Sequence, residues 1–560
     1  MKKKILLLFF IFLFISYCSI TEDEQSEENG VEEGNYKIFG YVFKFSDFSK
    51  LSAVKVKLLE NNSESTTDNS GRYEIGVDKT GEYTLVIENN NYNKEYIKIN
   101  VTNRTYSRKD FYLIPKLNGN TYYVSPDGND NNSGSESSPW RSPAYASRKL
   151  SPGDTLIIKS GTYEIHTYGE DIITPPSGNS NNWIVIKGED GIMPVLKGYD
   201  NLSYAIDLSN SSYIKIENLE ITNLNKKNFR EGISIVGNRV NSVILNNVYI
   251  HHLDEFGIDM QDVDRMVIIN SRIEYCGFGS IGGPSPDSCG LINLMIVSTS
   301  LSYSGHYYQG GDGSNRPYDR PDGFGIEQSA GPIEIYDCVV EHNYGDGIDS
   351  KSSDTYVHHC IVANNSCDGI KLWHGDSKIE NCLIYGTGDG IGGSSPWAGI
   401  VLGSDRTGDK FEIINTTLHD NSQREAYPMY VQYDDDKVIN VYIYNSIFSG
   451  GFGHLWFREN VNLTFENSII YIPSRDDQVY ANGRLYSVDD INNGVLGKNN
   501  IYADPQFEDP QWGKTGNYRL KDGSPAIDKA NNSKSPSDDL DHNKRLVNDT
   551  SDIGAYEKQN

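Results

Sequence analysis

The sequence predicts an all-β protein, a parallel β-helix preceded by a small antiparallel β-sandwich, and three observations predict it. The first is a repeat. Asp322-Gly323-Phe324, Asp346-Gly347-Ile348 and Asp368-Gly369-Ile370 recur at steps of 24 and 22 residues, and Cys338, Cys360 and Cys382 at steps of 22. Such a period is too short for a propeller blade and carries no leucine-rich consensus. It fits one coil of a parallel β-helix, in which equal phases become neighbours at roughly 4.8 Å. The second is the short period-2 run ending in Asn, as in Tyr213–Leu219 and Val243–Val248. It returns at Val267–Ser271, Phe411–Asn415 and Leu463–Asn467. The third is composition: 37% hydrophobic residues with 53 Gly and 38 Tyr, alongside many Asn. Gly and Asn both accept the left-handed conformation that sharp corners require.

Residues 1–18 have the form of a secretory signal, with Lys2 to Lys4 followed by an apolar run from Ile5 to Ile15. Ile15-Ser16-Tyr17-Cys18 resembles a bacterial lipoprotein lipobox, although Tyr17 replaces the usual small residue and Ile15 the usual leucine. The resemblance implies lipidation at Cys18, with simple secretion as the alternative. Residues 19–35, acidic and free of Pro, suit a disordered tether. Residues 36–115 form a separate unit of alternating runs, Ile38–Val42, Val54–Leu58 and Tyr83–Ile87, with a turn at Thr67–Tyr73. Their order and the Thr-Asp-Asn-Ser-Gly-Arg-Tyr turn resemble a carboxypeptidase-regulatory-like β-sandwich.

Leu117 to Gly119 is a hinge, and the β-helix is expected over 120–560. Its opening, from Thr121-Tyr122-Tyr123-Val124 to Gly161-Thr162-Tyr163, resembles the entry segment of secreted right-handed parallel β-helix proteins. Gly277–Gly290 and Gly305–Pro321 break the rhythm as Gly/Pro/Asp-rich insertions that would wall a groove. The segments Ala503–Phe507, Gly523–Asp528 and Asp552–Tyr556 are expected to cap the last coil. Six cysteines follow Cys18. The three in phase read as a buried ladder of free thiols, not a disulfide framework, and no spacing resembles a zinc site.

Strand alternation places candidate chemistry on one outer face. If Ile348 points inward, Asp349 and Lys351 point outward; likewise Lys371 and Trp373 face out while Ile370 and Leu372 face in. Gly325, Asp349 and Lys371 then form one column, and Glu327, Lys351 and Trp373 another. Asp322, Asp346 and Asp368 line the edge where each coil enters. Asp322, Asp346 and Asp349 together make a hard oxygen cage suited to Ca²⁺. The alternative is that the edge aspartates accept backbone hydrogen bonds at a corner, which accounts for Asp322, Asp346 and Asp368 but not for Asp349. For Lys371 the alternative to catalysis is a salt bridge to Asp349.

These residues resemble the site of family 9 polysaccharide lyases, β-helical calcium-dependent pectate lyases in which a lysine is the base. By position, Asp322, Asp346 and Asp349 match three of that family's calcium ligands, and Lys371 matches its base. Gly345 departs from the pattern, standing where the family has an aspartate, and only one bare coil separates Asp349 from Lys371. The resemblance implies calcium-assisted β-elimination of a uronate polymer. That reaction removes a very weakly acidic proton α to a carboxylate and needs a base that is neutral when it acts. Lys351, Trp373, His374, Arg316, Arg320 and Arg406 are candidates to contact the sugar.

A net charge of −27 argues against nucleic acid or an anionic membrane surface as partner. Calcium would reconcile that charge with an acidic polysaccharide. The expected protein is thus a secreted monomer, held to a bacterial outer membrane or cell surface only through Cys18. Two other readings remain open: a non-catalytic glycan-binding or adhesin β-helix, and a uronan lyase or epimerase acting on another polymer.

Overall fold

A computed structural model describes residues 33–237, 239–284, 290–311, 321–388, 398–420, 427–432 and 436–559. Cys18 and the leader, Arg316 and Arg320 lie outside the described residues. Regular structure among the described residues is almost wholly β, with two five-residue helices. From Thr121 to Ala481 the chain winds as a right-handed parallel β-helix with three sheet faces.

One face is a 12-stranded sheet running from Tyr204–Asp207 to Arg484–Ser487. On the other two faces, Ile333–Tyr336 stacks on Thr355–His358, and Val339–Glu341 on Ile361–Ala363. Inward side chains from all three faces, such as Ile335, Ile348, Val362, Ile379 and Ile400, form one continuous apolar core. Such a core stabilises by roughly 25 cal/mol for each Å² of apolar surface taken from water. Corners fall on residues with left-handed backbone, among them Asn218, Asn247, Asn381, Asn415 and Asn445. Their amides bond from coil to coil, as in Asn247 Nδ2 to Asn218 Oδ1 at 3.0 Å and Asn445 Nδ2 to Asn415 Oδ1 at 3.2 Å. This is the Asn that ended each sequence run.

Cys338, Cys360 and Cys382 are buried free thiols in successive coils. Each Sγ donates to the carbonyl two residues back, at 3.2, 3.2 and 3.3 Å. Thr299 precedes them and Thr416 and Ser446 follow, with hydroxyls making the same bond at 2.9, 3.1 and 2.9 Å. The column therefore selects a small side chain that donates one hydrogen bond, and cysteine is one way to fill it.

The N-terminal unit is a pair of small sheets. Glu33–Lys44 pairs antiparallel with Arg72–Lys79, and Lys55–Leu58 and Glu95–Val101 flank Gly81–Ile87. In the turn before Arg72, Asp68 Oδ1 accepts the Ser70 and Arg72 amides at 2.8 and 3.0 Å. The unit does not stand apart as the hinge at 117–119 suggested. Phe43, Phe45 and Tyr112 share a buried cluster with Trp183, Val267 and Val297 of the coils. Glu95 meets the buried Lys215 at 2.5 Å, and Tyr336 donates to Asp110 at 2.8 Å.

The C-terminal segment differs from the cap expected. The last coils are closed by the helix Val488–Asn492, whose Ile491 enters the core. Residues after 503 instead run back along the flank, where Phe507, Tyr518, Ile553 and Ala555 cover Leu383, Tyr385, Ile447 and Ile469. Those outward apolar side chains on successive coils need a partner, and the segment supplies it.

Candidate active-site groove

The 12-stranded face carries the site. Register places Gly325 beside Asp349 and Asp349 beside Lys371, the column that alternation predicted. The side chains are far less exposed than outward phase implies: Asp349 and Lys371 are 6% and 8% exposed. Asp349 lines a recess of this face, and its register partners on either side shade both side chains from water.

Asp322, Asp346 and Asp368 stand at the entry edge, and the first two divide their oxygens between two tasks. Asp322 Oδ1 accepts the amide of Asp346 at 2.7 Å, Asp346 Oδ1 that of Asp368 at 2.8 Å, and Asp368 Oδ1 that of Ala398 at 2.9 Å. One oxygen per residue thus ties the next coil in place, the corner role weighed above. The other oxygens of the first two turn toward Asp349, and one carboxylate oxygen from each of Asp322, Asp346 and Asp349 lies within 4.8 Å of the others. Lys371 Nζ sits 2.9 Å from Asp349 Oδ2 and 3.4 Å from Asp346 Oδ2.

Electrostatics here are set by burial and crowding. Burial, then Asp346 and Asp349, push the Asp322 carboxyl well above the usual carboxylate range. Burial also raises Asp346, against the pull of Lys371. Burial alone would lower the Lys371 ammonium, but Asp349 and Asp346 outweigh it and hold the proton on more firmly than usual. Three carboxylates facing one ammonium leave an excess of negative charge. Asp349 Oδ1, moreover, is buried with no hydrogen-bond partner among the described residues. An orphaned carboxylate oxygen in an all-oxygen cluster fits a hard divalent cation such as Ca²⁺, with Asp322, Asp346 and Asp349 as the residues that would hold it.

Lys351, one coil before the exit edge, pairs with Glu327 at 2.7 Å and reaches Asp349 at 3.7 Å. Trp373 follows the strand of Lys371, and its ring fills the space a side chain at Gly403 would need. His374 is buried, its Nδ1 3.5 Å from Asp405; burial and then Arg406 lower its pKa. Arg406 is exposed and donates to Ser353 Oγ at 2.9 Å. Trp373, His374 and Arg406 therefore follow the strand ends at the exit edge, while Lys351 lies between them and Asp349.

Sequence reading missed the other wall. A recess of about 190 Å³ is lined by Phe256, Phe278, Asp322, Glu327, Asp349 and Lys351, among others. A signal was present: Phe256-Gly257-Ile258-Asp259 has the spacing of Asp346-Gly347-Ile348-Asp349, and register puts Asp259 in the same column through Gly282 and Gly325.

Among solved structures, pectate lyase Pel9A is 15% identical, with a TM-score of 0.41, over 79% of this chain and 97% of its own. A complex of XylC with xylose is 11% identical, with a TM-score of 0.52, over 78% and 98%. The mannuronan C-5 epimerase AlgE4 A-module of Azotobacter vinelandii is 14% identical, with a TM-score of 0.44, over 68% and 97%. Among curated proteins, the uncharacterized protein YwoF of Bacillus subtilis (strain 168) is 34% identical over 80 residues, which is 14% of this chain. The match spans only 16% of that relative's length. Residues 122–425 match the family model described as Pel9A-like, right handed beta helix region, so the chain belongs to the Pel9A-like β-helix family.

Proposed function

We propose that this protein is a polysaccharide lyase that cleaves an acidic, uronate-containing polysaccharide by calcium-assisted β-elimination, with Lys371 as the base. The observation that carries the reading is the buried Lys371 ammonium in register with Asp349 and against Asp346, next to the recess that Asp349 lines. A structural ion pair has no need of three carboxylates for one cation, or of a carboxylate oxygen left without a partner.

Lys371 Nζ takes the proton α to the substrate carboxylate, and the electron pair left on carbon expels the oxygen of the glycosidic bond at the adjacent β carbon. Asp346 and Asp349 orient Nζ through the two contacts above and favour its protonated form once the proton has moved. Lys351 and the exit-edge Trp373 and Arg406 steady the sugar. Bound Ca²⁺ would neutralise the substrate carboxylate, stabilise the charge developing on carbon and compete with Lys371 for the aspartate oxygens, easing its deprotonation. Neighbours titled pectate lyase, alginate lyase and rhamnogalacturonan lyase support polysaccharide as the substrate class.

The test is incubation with a panel of uronate polymers, with calcium and with chelator, scored by the unsaturated uronate product. Product that appears only with calcium supports the reading; none from any polymer defeats it. A non-catalytic glycan-binding β-helix is the second reading, favoured by the aspartate oxygens spent on tying coils together. It predicts polymer binding without product.

We further read the chain as exported and lipid-anchored at Cys18, acting as a monomer, with the sandwich as a carboxypeptidase-regulatory-like module. No helix among the described residues is long and apolar enough to cross a membrane. Loss of fatty-acid labelling in Cys18→Ser is the expected outcome.

A further inference from the structure

The corner column of the coils changes character at one level. Asn218, Asn247, Asn270 and Ser298 occupy it on one side, and Asn381, Asn415 and Asn445 on the other, all with left-handed backbone. Between them, in adjacent coils, stand Asp337 and His359, held in the same conformation at φ 53° and 50°. Asn turns the corner on either side, so the turn alone does not call for an acid or an imidazole. Both are metal-ligand types, and both meet the C-terminal strap at this level.

The strap supplies the matching groups. Asp538 Oδ2 lies 3.5 Å from His359 Nε2 and 3.1 Å from His542 Nδ1, close to the roughly 3.3 Å edges of a tetrahedral Zn²⁺ site with bonds of about 2.0 Å. One ligand-type atom from each of the three residues lies within 4.8 Å of the others. The hydrogen bonds fix which nitrogen of His359 is free to ligate. Asn381 Oδ1 accepts from Arg545 at 2.7 Å, so its amide nitrogen is the atom 3.1 Å from His359 Nε2. That amide can only donate, so Nε2 carries the lone pair and Nδ1 the proton. His359 Nδ1 then donates to His358 Nδ1 at 2.9 Å, and His358 Nε2 to Glu334 at 3.0 Å. On the other ring, His542 Nε2 is held by Asp337 Oδ1 at 2.8 Å. Carboxylates behind the imidazoles, one direct and one relayed, are the arrangement that aims histidine at a metal. The Asp538 side chain is 30% exposed and gives an ion its way in.

We propose that His359, Asp538 and His542 form a zinc site that staples the C-terminal strap to the corner of the coils, separate from the aspartate cluster beside Lys371. Two imidazoles and one carboxylate suit Zn²⁺, whereas Ca²⁺ takes oxygens alone. Three protein ligands leave the fourth tetrahedral position to water. The metal takes the lone pair of His359 Nε2 in place of the Asn381 amide, which keeps its bond to the Asp538 carbonyl at 2.8 Å. It also replaces the proton on His542 Nδ1, so protonated His542 is the cation that stands there in the metal-free protein. The ligands come from two distant segments, which is why no spacing in the sequence resembles a zinc site.

The experiment titrates ZnCl₂ by calorimetry into the chelator-stripped full chain, as wild type, Asp349→Asn, His359→Asn and His542→Asn. Asn is the residue the corner column uses elsewhere, and it tolerates the left-handed backbone at both histidines (φ 50° and 61°); melting curves confirm folding. The expected result is one zinc per chain in wild type and in Asp349→Asn, with affinity at least tenfold weaker in each histidine variant. Zinc should raise the melting temperature of wild type and leave that of His359→Asn unchanged. Co²⁺ in place of zinc should give the visible absorption of a tetrahedral site in wild type, and lose it in His359→Asn. Absence of zinc binding by wild type overturns the proposal, as does equal affinity in folded His359→Asn and His542→Asn. Binding lost in Asp349→Asn but kept in both histidine variants assigns the ion to the aspartate cluster and overturns it too.

Discussion

Replacing Lys371 separates its two roles, base and counter-charge. Its side chain is 10% exposed and holds two buried carboxylates at 2.9 and 3.4 Å. Lys371→Ala leaves those carboxylates unmatched, a loss of about 3 kcal/mol where both remain ionised. Asp322 and Asp346 already have raised carboxyl pKa values, and Lys371 lowers both. Without it they rise further and take up protons. The stability contributed by carboxyls with raised pKa is fully present below the unfolded value, near 3.8, and is lost as pH climbs through the folded value. The deficit of Lys371→Ala relative to wild type should therefore be small near pH 4 and full near pH 8. Lys371→Arg keeps the positive charge and should melt close to wild type. As bases, however, both variants should fail alike, with rates down roughly 10²–10⁴-fold, because a guanidinium does not release its proton. Denaturant melts in chelator across that pH range, together with assay of the unsaturated product, measure both roles. A Lys371→Arg protein that is stable and still forms product refutes the base assignment; a Lys371→Ala deficit that does not grow with pH refutes the account of the charge cluster.

Asp349→Asn should weaken calcium binding at least tenfold by calorimetry, and equal affinity would remove Asp349 from the ligand set. His542 lies between Asp337 at 2.8 Å and Asp538 at 3.1 Å, with Arg108 and His359 alongside. Burial lowers its pKa, but the two carboxylates prevail and raise it from 6.5 to about 9. It then contributes about 3 kcal/mol that is fully present below pH 6.5 and lost as pH rises through 9. Wild type should lose stability between about pH 7 and 10 while His542→Gln changes less, and parallel melting curves would contradict this. Burial and the neighbouring thiols push Cys360 well above its ordinary pKa, so a thiol reagent should not reach Cys338, Cys360 or Cys382 until the protein unfolds. Cys360→Ser should cost less than about 1.5 kcal/mol, because the neighbouring coils place hydroxyls in the same bond.

Periodicity made the β-helix and its site column legible, because a coil converts sequence phase directly into spatial position. Asp349 beside Lys371 follows from phase alone, as does the cysteine column. Burial of that pair does not, since phase says which side chains share a column but not how far the adjacent coils shade them from water. The recess is hidden for a related reason: phase places Gly325 in the site column, but Gly282 lies within the Gly277–Gly290 insertion, and only register aligns the two. The flanking course of the C-terminal segment was also hidden. Its partners Leu383, Tyr385 and Ile447 read as strand residues of one face, with nothing in the alternation to say that a distant segment covers them.

That flanking course makes the tail a ruler. Gly513 donates to Asn364 Oδ1, and Arg545 donates to Asn381 Oδ1. Asn381 in turn donates to the Asp538 carbonyl, Asn415 to that of Asp552 and Asn445 to that of Asn531. A bare solenoid can gain or lose a coil, because each repeat touches only its neighbours. Here a coil added between 381 and 415 would shift Asn415 and Asn445 by roughly 4.8 Å relative to Asn381, so the carbonyls of Asp538, Asp552 and Asn531 could not all be met at once. The strap thereby ties the coils from Asn364 to Asn445 to one another across the flank, and a change in coil number there has to be matched by a change in the tail.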